Sequence, residues 1–246
     1  MGRGLLSQLY GQVASITVSQ LRFKAVMISL PLVSLLPTYF ALVFGLPKEE
    51  LGIVLTGAVI SPAVWVGVGL IQDIVYERED YRYLEMLIAS PMRPAVYILS
   101  RIMAGTLISM TTSLPLALLY TYITGSYRVL PLAIALPLIV SIFLAPLSML
   151  LGLRLRSIKE AGSMPSLLSS LIVFLPPVYY APGILPEWLR TPAMAIPSAA
   201  AAEVLRAVGI SGYQPILDPG VLLAYLLAAS TVSLLVLYSR FNWSLE

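Results

Sequence analysis

The sequence predicts an all-α integral membrane protein with six transmembrane helices. Of its 246 residues, 59% are hydrophobic and only 11% are charged, which is far from the composition of a soluble domain. Six runs lack Asp, Glu, Lys and Arg and are long enough to cross about 30 Å of hydrocarbon as helices, and barrel-type alternation is absent. The runs are 25–47, 51–72, 102–127, 129–153, 161–186 and 219–239. We expect residues 1–246 to form a single membrane domain.

The distribution of Lys and Arg predicts which side of the membrane each loop occupies. With six spans, eleven of these residues fall on the side of the termini and four fall on the opposite side. Because positively charged short loops stay in the cytoplasm, both termini and the loop 73–101 are expected to be cytoplasmic, in a multi-pass protein of the plasma membrane. This asymmetry accounts for the net charge of +3 without a nucleic-acid partner.

Residues 1–24 contain an amphipathic pattern that precedes the first span. Apolar side chains share one helical face, and glutamine, serine and arginine occupy the other. The apolar residues are Leu5, Leu6, Leu9, Tyr10, Val13 and Ile16. The pattern predicts a helix that lies in the cytoplasmic interface. The alternative is an extension of the first span, and Gly11 weakens either helix.

The loop 73–101 is a polar island between the second and third spans. A helix can begin near Glu77 and must stop before Pro91, because the residue before a proline is pushed out of the helical region. Helical spacing gives this helix two faces. The apolar face holds Tyr83, Leu84, Leu87 and Ile88, and the charged face holds Arg78, Arg82 and Glu85, with Glu79 near its edge. The alternative is a solvated loop whose charges only keep it out of the bilayer.

Residues 177–218, between the fifth and sixth spans, are punctuated by prolines. Ser198 is a plausible N-cap and Gly209 a plausible end for a helix too short to cross a bilayer. The segment therefore predicts short re-entrant helices, with Glu203 and Arg206 neutralising each other one turn apart. The alternative is an amphipathic surface helix outside the membrane.

The residue types that are missing restrict the chemistry of the chain. The sequence has no His and no Cys, the commonest metal ligands and thiol nucleophiles. It also lacks a glycine-rich loop ending in Gly-Lys-Ser/Thr, so no cofactor is expected in this chain, and ATP with its magnesium must be bound by another polypeptide. The six uncharged runs disfavour ion-coupled transport and intramembrane catalysis.

Three short motifs in the polar island resemble the cytoplasmic signature of ABC type-2 exporter permeases. They are Glu77-Arg78-Glu79, Leu84-Glu85-Met86-Leu87 and Ala89-Ser90-Pro91. The segment Leu185-Pro186-Glu187-Trp188-Leu189 before the last span is also similar to that family. The sequence departs from the family at Asp80-Tyr81-Arg82-Tyr83, where many members have Gly-Thr.

The resemblance implies a permease subunit that pairs with itself or a sister subunit and binds two separate ATPase subunits in the cytoplasm. The island would then be a coupling helix seated on an ATPase, and Pro186, Glu203 and Arg206 would belong to the re-entrant segment. The coupling residues would be Glu77, Arg78, Glu79, Arg82, Leu84, Glu85, Leu87, Ile88, Ser90 and Pro91. A drug-like, lipid-like or glycan cargo fits the uncharged spans.

Two other classes remain open at this point. The first is a secondary transporter or channel that works alone. The second is a membrane enzyme acting on lipids, which would hold a metal ion between Asp73, Glu77, Glu79 and Asp80. Small residues spaced four apart, such as Gly57 with Ser61, and Ala63 with Gly67, predict close contacts between helices whichever class applies.

Overall fold

The computed structural model describes residues 2–22, 24–79, 94–155 and 157–240, and this part of the chain is helical without a β-strand. The all-α class is therefore confirmed. Nine α-helices occur in the described ranges, together with short 3₁₀ turns at Tyr127–Val129 and Pro182–Ile184. The helices are α1 Gly2–Arg22, α2 Lys24–Val43, α3 Lys48–Glu79, α4 Pro94–Thr124, α5 Leu130–Arg154, α6 Ile158–Phe174, α7 Glu187–Ala193, α8 Pro197–Gly209 and α9 Pro219–Arg240.

Four helical stretches within the described ranges are long and apolar enough to cross a membrane. They are Lys48–Glu79, Ala95–Thr124, Tyr127–Arg154 and Pro219–Arg240. They match the second, third, fourth and sixth apolar runs of the sequence. The first run corresponds to α2, whose apolar part Ile28–Val43 is shorter, so the count of six spans stays a prediction.

The fifth predicted span ends earlier than the sequence suggested. The run 161–186 was expected to be one helix, whereas α6 stops at Phe174 after 17 residues. Pro176 and Pro177 follow; each lacks an N–H and disfavours the helical conformation of the residue before it, so two in succession end α6, which accommodates the single Pro165 within it. Residues 175–186 instead form turns that lead towards α7 and α8.

Helix α3 lies at the centre of the bundle and packs against α2, α4, α5 and α6. Glycines allow α3 and α5 to approach closely. A Cβ on Gly67 of α3 would lie 2.9 Å from the Cβ of Leu144, and one on Gly152 of α5 would lie 3.0 Å from the carbonyl oxygen of Ile71. Gly67 is one of the small residues that the sequence placed at a helix contact, and this prediction is confirmed.

Helix α8 forms between the residues that the sequence indicated, but its start differs in detail. Ile196, not Ser198, is the N-cap residue. The hydroxyl of Ser198 instead donates to the carbonyl oxygen of Ile172 in α6, at 2.7 Å. Residues 197–206 are buried, and α8 packs against α3, α5, α6 and α9, so most of α8 is internal to the bundle.

Candidate functional site

Polar side chains meet at the end of α3 that precedes the undescribed residues 80–93. We call Asp73, Glu77, Tyr97 and Arg101 the base cluster. The Glu77 carboxylate is 8% exposed, forms an ion pair with the Arg101 guanidinium and accepts a hydrogen bond from the Tyr97 hydroxyl at 2.7 Å. The Arg101 guanidinium carbon also lies 5.9 Å from the centre of the Tyr97 ring. The cluster thus joins the end of α3 to the first turns of α4.

The two residues after Glu77 connect α3 to α5 and to the surface. The Arg78 guanidinium donates to the carbonyl oxygen of Leu153 at 2.9 Å and also to that of Leu155. These carbonyls belong to the end of α5, where a cation is favoured because the last carbonyls of a helix lack partners. Glu79 is exposed and accepts from the Arg78 Nε at 2.8 Å.

The structure places only the first three residues of the predicted coupling site. Glu77 faces inward, Arg78 is partly exposed and Glu79 is exposed. The other residues fall outside the described part of the chain. They are Arg82, Leu84, Glu85, Leu87, Ile88, Ser90 and Pro91.

Sequence reasoning missed the partners of Glu77. Arg101 was read only as a topological signal, and Tyr97 was not singled out. The spacing of four residues, from Asp73 to Glu77 on α3 and from Tyr97 to Arg101 on α4, puts each pair on one helical face and would have indicated the cluster. The charge-free runs 51–72 and 102–127 were also shorter than the helices. Helix α3 continues past Asp73 to Glu79, and α4 begins at Pro94, before Arg101.

The metal site considered for a lipid-modifying enzyme does not form among the residues that the structure describes. No group of three acidic side chains comes together there. Glu77 is instead occupied by Arg101 and Tyr97, and Glu79 is paired with Arg78. Asp80, the fourth residue of the suggested group, lies outside the described residues.

A second polar cluster surrounds Arg206 of α8, which is fully buried. Its Nε donates to the Thr56 hydroxyl of α3 at 2.9 Å, and one terminal nitrogen donates to the carbonyl oxygen of Pro177 at 2.8 Å. The other terminal nitrogen donates to the carbonyl oxygen of Val178. One guanidinium therefore fastens α8 both to α3 and to the segment that follows α6.

Glu203 is the buried anion of the same cluster. Its Oε2 lies 3.8 Å from a terminal nitrogen of Arg206 and accepts from the Tyr213 hydroxyl at 2.7 Å, and its Oε1 accepts from the Ile216 backbone N–H at 3.0 Å. Burial, together with the hydrogen bond to Glu203, raises the pKa of Tyr213, so the phenol keeps its proton and donates it. We call Thr56, Glu203, Arg206 and Tyr213 the α8 cluster.

Tyr179 joins three elements near the α8 cluster. Its hydroxyl donates to the carbonyl oxygen of Ser34 in α2 at 2.9 Å and lies 2.8 Å from the Ser61 hydroxyl of α3. A Cβ on Gly57 would come within 2.5 Å of the Tyr179 ring, so the ring occupies the space that this glycine leaves. Tyr179 is 8% exposed and therefore belongs to the packed interior of the protein, whereas the neighbouring Tyr180 is half-buried.

Gly209 ends α8 directly against Tyr120 of α4. A Cβ there would lie 2.0 Å from the Tyr120 hydroxyl oxygen, which donates to the carbonyl oxygen of Leu205 at 3.1 Å. We expect Gly209→Ala to displace the ring, break this hydrogen bond and lower the free energy of unfolding by about 1–3 kcal/mol. The measurement is the thermal unfolding midpoint of the purified protein in detergent.

The matched control for this substitution is Gly162→Ala. Gly162 lies within α6, is exposed and has no atom within 4 Å of a built Cβ. Alanine there is expected to leave the midpoint unchanged or to raise it, because alanine favours helices. Equal midpoints for the two variants would contradict the close contact at Gly209.

Comparison with known families identifies the class of membrane protein to which these clusters belong. The family described as "ABC-2 family transporter protein" matches residues 47–238, which include α3 to α8 and all but the last two residues of α9. A search of curated proteins finds no match. The match covers more than half of the chain and agrees with the resemblance carried by the polar island. The chain is therefore a multi-pass membrane protein that belongs to the ABC-2 family of transporter proteins.

Proposed function

We propose that this chain is the membrane-spanning subunit of an ATP-driven exporter that works as a dimer with separate ATPase subunits. Membership of the ABC-2 transporter family supports a transport role. The sequence contains no phosphate-binding loop, so the energy of ATP must be delivered by another polypeptide. The second permease of the dimer is either a copy of this chain or a sister subunit.

The observation that carries this proposal is the base cluster. It holds the end of α3 and the start of α4 together, and these ends flank residues 80–93, where the sequence places the coupling helix. Arg78 adds the end of α5 to the same unit. A displacement applied to residues 80–93 is then passed to three helices at once, because packed and ion-paired elements move as a body whereas loose loops absorb displacement.

The proposed topology completes six spans with α2 and α6. Both termini and residues 73–101 are on the cytoplasmic side of the plasma membrane. The segment 177–218, with Pro186, Glu203 and Arg206, enters the membrane from the outside and returns. Burial of α8 against α3 supports this placement, because its charged residues are satisfied inside the protein.

The partner subunit can be tested by affinity purification of the full chain from its native membrane, followed by mass spectrometry. We expect an ATPase with a phosphate-binding loop at about one copy per permease. ATP hydrolysis should then increase when the complex is reconstituted with cargo. Purification of this chain without an ATPase, with transport intact and driven by an ion gradient, would favour a stand-alone transporter instead.

Two substitutions in residues 80–93 test the coupling helix directly. Glu85→Lys reverses a charge on the polar face, and Leu84→Asp places a charge on the apolar face. Both are expected to leave the protein inserted but to reduce ATPase co-purification and ATP-linked export at least about tenfold, since a buried unpaired charge at an interface costs several kcal/mol.

Glu49→Lys is the matched control for Glu85→Lys. Glu49 is exposed in the first turn of α3, at the opposite end of the helix from the base cluster. This variant should retain both the ATPase and export. Normal export by Glu85→Lys and Leu84→Asp would remove residues 80–93 from the coupling interface.

A further inference from the structure

A half-open cavity of about 400 Å³ lies beside the base cluster. It is formed by α1, α2, α3, α4 and α6, so its walls come from helices that the proposed coupling would move. Ligand sites in proteins commonly have volumes of about 300–1,000 Å³. The cavity is therefore large enough for a small organic molecule.

Helix α3 provides one wall of this cavity with residues spaced four apart. Trp65, Gly69 and Asp73 share one face, one turn after another. A Cβ built on Gly69 meets no atom within 4 Å, so there is open space between the indole and the carboxylate. An aromatic ring and an anion on either side of a gap form a suitable environment for a cation.

The described residues in and beside the cavity include two carboxylates, Asp73 and Glu77, and one guanidinium, Arg101. Asp73 and Arg101 are the charged residues among those described that line it. The Arg101 guanidinium forms its ion pair with Glu77, and it acts on Asp73 at longer range. Two carboxylates thus face one guanidinium among the described residues, so a cation bound beside Asp73 would supply the second positive charge that both carboxylates need in order to ionise in this poorly solvated region.

Two buried polar atoms of the lining have no hydrogen-bond partner among the residues that the structure describes. They are the hydroxyl of Ser169 in α6, which is 1% exposed, and the Nε of Arg101, which is 7% exposed. Buried polar groups are normally satisfied, so each marks a position where a bound molecule can supply the missing partner. This observation is independent of the charged groups, and it adds polar contacts on α4 and α6 to those on α3.

We propose that this cavity binds an amphipathic organic cation. The charged group lies between Asp73 and the Trp65 ring, and the apolar body lies against Leu30, Ile108 and Pro165, which also line the cavity. Where the molecule also carries a hydrogen-bond acceptor, Ser169 or Arg101 can donate to it. The assignment of this cation as the cargo rests on the proposed function, whereas its binding does not.

The test is equilibrium dialysis of the purified full chain in phosphatidylcholine nanodiscs, with empty nanodiscs subtracted. The probes are tetraphenylphosphonium and tetraphenylborate, which have the same shape and opposite charge. We expect saturable binding of one tetraphenylphosphonium per chain and no saturable binding of tetraphenylborate. Asp73→Asn should weaken cation binding at least about tenfold, because it removes the carboxylate that would pair with the cation and keeps the shape.

Two further variants separate the site from a general effect of charge. Gly69→Leu should abolish binding by filling the gap, and Glu50→Gln, which removes an exposed carboxylate at the opposite end of α3, should bind as the unmodified chain does. Equal binding of the two probes, or unchanged binding by Gly69→Leu, would overturn the proposal, and neither result depends on whether Asp73→Asn folds.

The dialysis experiment contains no ATP and no ATPase, so its result tests the cation site separately from the proposed exporter function. Absence of tetraphenylphosphonium binding together with ATP-driven export of another cargo would overturn the cation site and leave the exporter in place. Saturable cation binding by a chain that never associates with an ATPase would support the site and refute the exporter.

Discussion

Replacing Arg206 with methionine is expected to lower the free energy of unfolding by about 3–5 kcal/mol, enough to unfold many proteins. The substitution keeps an unbranched side chain of similar length but leaves the Glu203 carboxylate buried without its cation. It also leaves the carbonyl oxygens of Pro177 and Val178 and the Thr56 hydroxyl without their donor. The measurement is the thermal midpoint in detergent, together with the amount of protein in the membrane.

Arg190→Met is the matched control for Arg206→Met. Arg190 also donates to two carbonyl oxygens, those of Leu185 and Gly183, but it is partly exposed, so water can replace its hydrogen bonds. A loss below about 1 kcal/mol is expected. The double variant Glu203→Gln with Arg206→Met should recover part of the loss, because no buried charge then remains unpaired. Equal midpoints for Arg190→Met and Arg206→Met would contradict the role of the α8 cluster.

Replacing Arg101 with leucine is expected to have the second large effect. The free energy of unfolding should fall by about 3–5 kcal/mol, and ATP-linked export should fall as well. Without the guanidinium, Glu77 and Asp73 are two carboxylates one helical turn apart with no cation to balance them. The ion pair between the end of α3 and α4 is then lost, and in this cluster the hydrogen bond from Tyr97 to Glu77 remains. We expect the associated ATPase to hydrolyse ATP while export falls at least about tenfold.

Arg240→Leu provides the control for Arg101→Leu, because Arg240 is exposed at the end of α9. It should retain both stability and export. Adding Glu77→Gln to Arg101→Leu should restore stability in part, since only Asp73 then remains as a carboxylate of the cluster, but it should not restore export, because the ion pair between α3 and α4 stays absent. Full export by Arg101→Leu would refute the mechanical role of the base cluster.

Helical segments and the short α8 could be predicted from the sequence because their signals are local. An uninterrupted apolar run indicates a long helix whatever it packs against, and 51–72 and 219–239 fall within α3 and α9. Gly209 ends α8 as predicted. The prolines at 176 and 177 could also have predicted the end of α6 near Phe174. The run 161–186 was defined only by its lack of charged residues, so it was expected to be one helix.

The contacts within the clusters could not be predicted, because they join residues far apart in the chain. The expected ion pair of Glu203 with Arg206 is present at 3.8 Å, but the hydrogen bonds of Arg206 to Thr56 and to backbone carbonyls 28 or more positions away were not predicted. Glu77 was assigned to the ATPase-coupling surface because Glu77-Arg78-Glu79 resembles the family signature, and its burial depends on Arg101, which comes from α4. Side-chain spacing can suggest such pairs, and only the packing of helices selects them.

The central position of α3 affects which amino-acid substitutions can accumulate during evolution. The most apolar stretch of α3 is 78% buried, whereas that of α9 is 28% buried. Exchanges among leucine, valine and isoleucine on the outward side of α9 should accumulate freely. Positions such as Gly57 and Gly67 in α3 should tolerate almost no replacement, because neighbouring side chains already occupy the room a Cβ requires. A saturation scan selected for transport would therefore show its deepest depletion along this one helix.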